Sequence, residues 1–162
     1  MIKINIVAVG KVKEKYFLSA IEEYLKRLSR FCKLEIIEVK EENFVAEPNA
    51  SQIEIIKEKE GENILKKLSG RVILTEIGGK KYTSQSFSQK ILSFVNAGSE
   101  ITFVIGGSYG VSQKVKSVAD ELISFSDMTF PHTLARVILC EQLYRAFKIN
   151  ENSRYHKWTS LC

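Results

Sequence analysis

The stretch Ile101-Thr102-Phe103-Val104-Ile105-Gly106-Gly107 gives the plainest indication of the fold. A short apolar run closed by two glycines predicts a β-strand that ends in a turn. The start of the chain repeats the pattern, because residues 2–9 alternate at first, then run apolar, and stop at Gly10. Such a run is typical of a strand that is covered on both faces, as the strands of parallel sheets are.

The other strands and helices follow from the same patterns. Further strands are predicted at residues 34–39, 72–77 (ended by Gly78-Gly79) and 123–130. The first helix is predicted for residues 17–31, and the second runs from a Ser51 cap, with Glu54 at the capping-box position, to about residue 70. A third helix begins at Ser84, a fourth runs from a Ser112 cap through Leu122, and the last covers about 133–149. Gly61 is a point where the second helix could break. Strand and helix alternate throughout, which predicts a single α/β domain with a mostly parallel sheet flanked by helices.

Length and composition exclude several classes of protein. A chain of 162 residues fits one domain with a single sizeable core. Its apolar runs are too short to span a membrane, and its first residues lack the order of a signal peptide, so no membrane partner is expected. The three cysteines, Cys32, Cys140 and Cys162, lie far apart. This spacing argues against a zinc site and a disulfide framework, and favours the reducing cytoplasm.

Basic residues outnumber acidic ones most clearly towards the carboxyl terminus, where residues 128–162 hold five basic and two acidic side chains. The net charge is +5 and the pI is about 9.0, which permits a nucleic-acid partner without establishing one. Residues 152–158 (NSRYHKW) interleave cations with aromatic rings. This combination suits phosphate contact and the stacking of unpaired bases, although a solvated, frayed terminus has the same composition. Charge and composition leave both interpretations open.

Three segments are candidates for a ligand site, because ligands of parallel α/β sheets bind beyond the carboxyl ends of the strands. They are residues 78–80, 106–110 (GGSYG) and 125–131. The glycine run is neither the dinucleotide fingerprint nor a P-loop, since its spacing differs and no Walker lysine follows. It is either a ligand loop or a turn that needs glycine only for its shape.

The last helix carries an arginine on its apolar side. Arg136 lies on the same stripe as Cys140, Leu143 and Phe147. A buried guanidinium needs partners, so we expect a carboxylate, backbone carbonyls or an anionic ligand beside it. Arg145, four residues after Glu141, is expected in an exposed ion pair. His132, near the start of the helix, suits either capping or chemistry.

An ordered set of motifs covers nearly the whole chain. They are IVAVGK at residues 6–11, KEKEG at 57–61, GGSYG at 106–110, FSDMTFPH at 125–132, Arg136, EQLYRAF at 141–147 and YHK at 155–157. In this order they resemble the SPOUT-class ribosomal RNA large subunit methyltransferase H family, which methylates a pseudouridine of 23S ribosomal RNA. The chain departs from the family in continuing through residues 158–162, and in having Thr75 where relatives have leucine.

The resemblance implies a fold, a reaction and partners. The fold would be the SPOUT α/β knot, an exception to the rule against threaded chains. Residues of about 72–150 would form the knotted cofactor-binding part, and 151–162 a C-terminal tail. The protein would be a homodimer that binds S-adenosylmethionine, without a metal. It would methylate N3 of a pseudouridine in a stem-loop of large-subunit ribosomal RNA on assembled ribosomes.

The resemblance also implies roles for particular residues. The cofactor would be held by Thr75, Gly106, Gly107, Phe125, Ser126, Asp127, Met128, Thr129 and Phe130. RNA would be contacted by Arg145, Arg154, Tyr155 and Lys157. His156 is the candidate base for the N3 proton, and Arg136 the candidate that stabilises charge on the ring oxygens.

Three alternatives stand beside this hypothesis. One is a SPOUT methyltransferase that acts on transfer RNA, and another is a non-catalytic ribosome-binding protein with the same fold. The third, an enzyme resembling α/β hydrolases, is disfavoured because the chain has no G-x-S-x-G nucleophile elbow.

Overall fold

The computed structural model describes residues 1–151, in which five strands alternate strictly with five helices. In chain order they are β1 (Ile2–Val9), α1 (Lys15–Leu28), β2 (Cys32–Val39), α2 (Ala50–Leu65), β3 (Arg71–Lys81), α3 (Ser84–Asn96), β4 (Ile101–Ile105), α4 (Gln113–Val118), β5 (Glu121–Ser124) and α5 (His132–Asn150). The predicted alternation is confirmed.

The strands form one sheet in the order β2-β1-β4-β3-β5, and every pairing between them is parallel. β4, the run that opens the sequence argument, lies at the centre with all five residues buried. Its residues Ile101–Ile105 pair with Ile4–Ala8 of β1 on one side and Arg71–Thr75 of β3 on the other. All strands therefore end at the same edge of the sheet.

Alternate residues of the strands build a core on each face of the sheet. One core joins Ile6 and Phe103 to side chains of α1, α3 and α5, including Leu28, Ile91 and Leu139. The other joins strand residues such as Val7, Leu74 and Val104 to Ile64 of α2 and Val115 of α4. The predicted sheet flanked by helices is thus confirmed. None of the helices in residues 1–151 is long and apolar enough to cross a bilayer.

The sequence predicts that β3 ends at Gly78-Gly79, but the strand continues to Lys81. It pairs with β5 up to Thr75, where the register shifts, and pairs again from Lys80. A Cβ atom at position 79 would lie 2.5 Å from the carbonyl carbon of Ile123. Gly79 therefore lets the two backbones pass closely, and residues 76–79 form an excursion between two paired parts of one strand.

β5 is shorter than the predicted strand 123–130, and it begins earlier, at Glu121. Its start is fixed by Asp120, whose N–H donates to the carbonyl of Val72 and whose carboxylate accepts from the Val72 N–H, both at 2.8 Å. These bonds turn the chain into the sheet, so Leu122 belongs to β5 and not to the preceding helix. Beyond Ser124 the chain is a loop.

The starts of α1, α2 and α5 differ from the predictions by one or two residues, whereas α3 begins at Ser84 as predicted. Asn49, with Gln52, forms the capping box of α2, in place of Ser51 and Glu54. α2 runs unbroken through Gly61, and α3 is capped by Thr83. The Ser112 cap of α4 is confirmed, because its Oγ accepts from the Val115 N–H.

Candidate functional site

A cavity of about 860 Å³ opens at the carboxyl edge of the sheet. Its walls are the excursion of β3, the ends of β4 and β5, the loops that follow β4 and β5, and the first turn of α5. The lining residues are Thr75, Glu76, Ile77, Gly78, Ile105, Gly106, Gly107, Ser108, Gly110, Val111, Ser124, Phe125, Ser126, Met128, Thr129, Phe130, Pro131, His132 and Ala135. Its size lies within the range of small-molecule sites in proteins.

The glycine loop (residues 106–110) forms one wall of the cavity. Its turn is closed by the Gly110 N–H, which donates to the Gly107 carbonyl at 3.1 Å, and Gly110 has a φ of +82°. A Cβ atom at position 106 would lie 2.7 Å from Cγ1 of Val111. The loop thus depends on glycine both for its conformation and for its close packing.

The excursion of β3 forms a second wall. Thr75 is the last residue of the first paired part of β3, and its hydroxyl donates to the Val104 carbonyl at 3.0 Å. The hydroxyl of Thr75 is therefore satisfied by the sheet itself. Glu76, Ile77 and Gly78 follow along the cavity, and Ile77 is exposed.

The loop from Phe125 to Pro131 forms a third wall, and its own side chains fix its shape. The Ser124 hydroxyl donates to the Ser126 carbonyl at 2.9 Å, and the Ser126 Oγ accepts from the Met128 N–H at 3.0 Å. Asp127 is the exception among the predicted cofactor residues, because it is not part of the lining and pairs with Lys81 outside. The structure brings all the other predicted cofactor residues into one cavity, and binding by them stays a prediction.

Arg136 lies beneath this edge and is fully buried. Its guanidinium donates to the Oε1 of Glu38 at 2.9 Å and to the carbonyls of Val9 and Gly10 at 2.6 and 2.9 Å. Its Nε has no hydrogen-bond partner among residues 1–151. Of the partners expected from the sequence, a carboxylate and backbone carbonyls are therefore the ones in place, and a role in catalysis stays a prediction.

His132 is the first residue of α5, and Pro131 occupies the cap position. The imidazole lines the cavity beside Gly10, where a Cβ atom would lie 3.4 Å from its Nε2 and 3.2 Å from the Oε2 of Glu41. Gly10 has a φ of +80°, so both space and conformation call for glycine there.

Of the residues predicted to contact RNA, Arg145 does not line the cavity, and the others lie beyond the described residues. Arg145 pairs with Glu141 at 2.9 Å from its Nε, as its spacing predicts, but the pair is half-buried rather than exposed. Arg154, Tyr155, His156 and Lys157 lie beyond residue 151.

The sequence argument missed Glu60 of α2. This carboxyl group is buried next to the glycine loop, and burial raises its pKa to about 7. In the sequence it stands within the run KEKEGE, where nothing distinguishes it from the exposed charges around it. The only hint is the glycine that follows, since Gly61 marks a close contact.

Thiol and metal chemistry have little support in residues 1–151. Cys32 and Cys140 are buried, and burial raises the pKa of each thiol to about 12, so neither is an activated nucleophile. Over the same part of the chain, no group of three or more His, Cys, Asp and Glu side chains is arranged to hold a metal ion.

Comparison with solved structures shows the same fold. A probable methylase family protein from Haemophilus influenzae matches with a TM-score of 0.53 and 16% identity, over 98% of this chain and 68% of the other. A putative methylase family protein from Neisseria gonorrhoeae matches with a TM-score of 0.51 and 12% identity, over 88% of this chain and 82% of the other.

Sequence relatives are much closer. Proteins named ribosomal RNA large subunit methyltransferase H are 50% identical in Lactobacillus helveticus, over 95% of this chain and 99% of the relative, and 48% identical in Acetivibrio thermocellus, over 96% and 99%. The family described as "Predicted SPOUT methyltransferase" matches residues 2–156. The chain therefore belongs to the SPOUT methyltransferase family, whose α/β-knot fold class it shares.

Proposed function

We propose that this protein uses S-adenosylmethionine to methylate N3 of a pseudouridine in a stem-loop of large-subunit (23S) ribosomal RNA, on assembled ribosomes. The observation that carries the proposal is the cavity at the carboxyl edge, which is lined by the excursion of β3, the glycine loop and the loop from Phe125 to Pro131. Relatives of about 50% identity over nearly the full chain bear the name of a ribosomal RNA large subunit methyltransferase, which supports the substrate class.

The residues of the cavity fit S-adenosylmethionine. Apolar side chains such as Ile77, Met128 and Phe130 suit the adenine ring, and the backbone of Gly106 and Gly107 lines the cavity as well. The amino end of α5 suits an anionic group. When bound, the cofactor supplies a methyl group on a positively charged sulfur.

The protein's part in the reaction is to position the base and remove its proton. The N3 of a uracil-like ring is protonated at neutral pH, so it needs a base before it attacks the methyl group. We assign that role to His156 and the contacts with RNA to Arg145, Arg154, Tyr155 and Lys157. Arg136 would stabilise negative charge on the ring oxygens through its buried positive charge, next to the cavity residue Ala135.

We also propose that the protein works as a homodimer in the cytoplasm, where ribosomes assemble. One monomer has a net charge of only +5, and two tails (residues 151–162) would complete one site. The half-buried Leu134, Val137 and Ile138 of α5 support an apolar contact with a second copy. Residues of about 72–150 would form the knotted part, which includes all of the cavity lining.

Transfer of a tritiated methyl group tests the substrate. Purified protein and labelled S-adenosylmethionine are incubated in parallel with assembled ribosomes, separated subunits and transfer RNA. The proposal predicts label in the large-subunit RNA of ribosomes. Label in transfer RNA would establish the sister activity instead, and the absence of transfer with intact cofactor binding would favour a non-catalytic ribosome-binding protein.

Two substitutions test the residues. We expect His156→Ala to lower the single-turnover rate by about 10²–10⁴-fold, as the loss of a general base does. Full activity in this variant across pH would exclude His156 as the base. Unchanged activity in Arg136→Ala, in protein that remains folded, would exclude a catalytic role for that arginine.

A further inference from the structure

The carboxyl group of Glu60 lies where three segments meet behind the glycine loop. Its side chain is only 3% exposed. Its Oε1 accepts a hydrogen bond of 3.0 Å from the backbone N–H of Glu42, in the loop between β2 and α2. Its Oε2 lies 2.9 Å from the point where a Cβ atom of Gly107 would stand. The carboxyl group therefore separates the β2–α2 loop from the glycine loop and contacts both.

Contacts on either side of Glu60 hold the same loop. A Cβ atom at position 107 would also lie 3.0 Å from the Cγ1 of Val9. The neighbouring Gly61 packs against Ser112, whose Oγ would lie 2.4 Å from a Cβ atom at position 61. Since Ser112 lies two residues after the glycine loop, Glu60 and Gly61 of α2 pack against residues near both ends of that loop.

The charges around Glu60 do not favour its ionised form. Burial is the main cause that raises its pKa to about 7. The hydrogen bond from the Glu42 N–H lowers this pKa, and the carboxylates of Glu41 and Glu42, in the β2–α2 loop, raise it further. Glu60 has no ion pair within residues 1–151. Three nearby lysines pair with other carboxylates: Lys40 with Glu42, Lys57 with Glu54 and Lys114 with Glu58. The residues that face it from β1 and the glycine loop, Val9 and Gly107, are uncharged.

We propose that Glu60 is a positioning residue for the cofactor cavity: its buried carboxyl group packs against Gly107 and holds the glycine loop in the shape that binds the ligand. The identity of the ligand, S-adenosylmethionine, rests on the function proposed above, whereas the support of the loop does not. Once ionised, the group gains more from hydration than from this contact, so it withdraws and the loop loses its support.

The first test uses the ligand-free protein. With a pKa of about 7, the uncharged fraction of Glu60 falls about tenfold between pH 6 and pH 8. After correction for intrinsic rates, we expect amide hydrogen exchange in residues 106–110 to become about tenfold faster over that interval. Glu60→Gln keeps the acceptor for the Glu42 N–H without the charge, so its exchange in these residues should not change with pH.

A matched control comes from the same helix. Glu54 is exposed and pairs with Lys57, so Glu54→Gln should behave as the wild type does. The proposal is overturned if the wild type shows no change between pH 6 and 8, or if Glu60→Gln shows the same change. It is also overturned if Glu60→Gln fails to fold, because a neutral isostere then could not replace the native group.

The second test measures the binding of S-adenosylmethionine by calorimetry at pH 6 and pH 8. We expect affinity to fall about tenfold more in the wild type and in Glu54→Gln than in Glu60→Gln. Titration of the ligand's own amino group affects all three proteins alike and cancels in the comparison. If no protein binds while the exchange pattern is as expected, the proposed function fails and the role of Glu60 stands. Binding with equal pH dependence in all three overturns that role.

Discussion

The two ends of the sheet contain buried polar groups of opposite character. At the amino end, Asn5 donates to the Oγ of Ser69 at 3.1 Å and to the Oε1 of Glu100 at 2.9 Å, and Lys3 pairs with Glu100 at 2.8 Å. The hydrogen bond from Lys3, followed by those from Ser69 and Asn5, lowers the pKa of Glu100 to about 2. This end of the molecule favours the charged state of its carboxylate.

At the carboxyl end the charged form of a buried carboxyl group is disfavoured, because burial raises the pKa of Glu60 to about 7. Each end has one buried side-chain atom without a partner within residues 1–151, the Oδ1 of Asn5 and the Nε of Arg136. Glycines with close neighbours occur at both ends, at positions 106 and 107 here and at position 70 before β3. The two ends therefore differ in how they treat a carboxyl group: burial disfavours the charge of Glu60 beside the cavity, whereas hydrogen bonds favour that of Glu100 at the amino end.

The largest effect in this comparison is expected from Arg136→Met. The substitution leaves two buried carbonyls and the Glu38 carboxylate without their donor, so the free energy of unfolding should fall by about 3 kcal/mol. At the amino end, the Arg71–Asp120 pair is largely exposed, and Arg71→Met should cost less than about 1 kcal/mol. Urea unfolding of both variants measures the difference, and equal losses would contradict the contrast between the ends.

A second effect concerns two glycines. Gly106→Ala places a Cβ atom 2.7 Å from Val111, so the cavity wall must move, and affinity for S-adenosylmethionine should fall at least tenfold, or about 1.4 kcal/mol. Gly98→Ala, in the turn before β4, adds strain at a φ of +64° but meets no atom within 4 Å. It should cost about 1 kcal/mol of stability and leave affinity unchanged. Calorimetry on both variants checks this, and a matching loss of affinity would locate the ligand elsewhere.

The smallest effect is expected from Glu100→Gln. Because the pKa of Glu100 is lowered in the folded protein, its contribution is present above about pH 4.5 and is lost as pH falls towards 2. The variant should therefore melt at a lower temperature than the wild type at pH 7, and the gap should narrow at pH 3. Melting temperatures at both pH values measure this, and a constant gap would show that the pKa is not lowered.

The sheet could be predicted because its signals are local. Apolar runs such as Ile101–Ile105 are followed by glycine, and strand and helix alternate, which is enough for a parallel α/β domain. The course of β3 could not be predicted in this way. Gly78 and Gly79 have the composition of a turn, yet Gly79 serves the close approach of β5, whose Ile123 lies 44 positions further along the chain.

The cavity was predictable from its loops, but its support was not. Glycines and the segment 125–130 indicate ligand loops wherever they follow strands, and they meet in one cavity. The partners of Arg136 are 98 to 127 positions away in the sequence, so only the chemistry of a buried guanidinium was predictable. Glu60 lies in the KEKEG motif and precedes Gly61, but nothing in the sequence shows that it is buried, because its burial depends on how α2 packs against the glycine loop.

The most direct test of the contrast between the ends is hydrogen exchange with and without S-adenosylmethionine in saturating amount. The cofactor should bind at one site per chain and slow exchange in residues 75–78, 105–111 and 124–132, while exchange around Asn5, Ser69 and Glu100 stays unchanged. The absence of binding, or protection centred on the amino end of the sheet, would contradict the assignment of the carboxyl-edge cavity as the cofactor site.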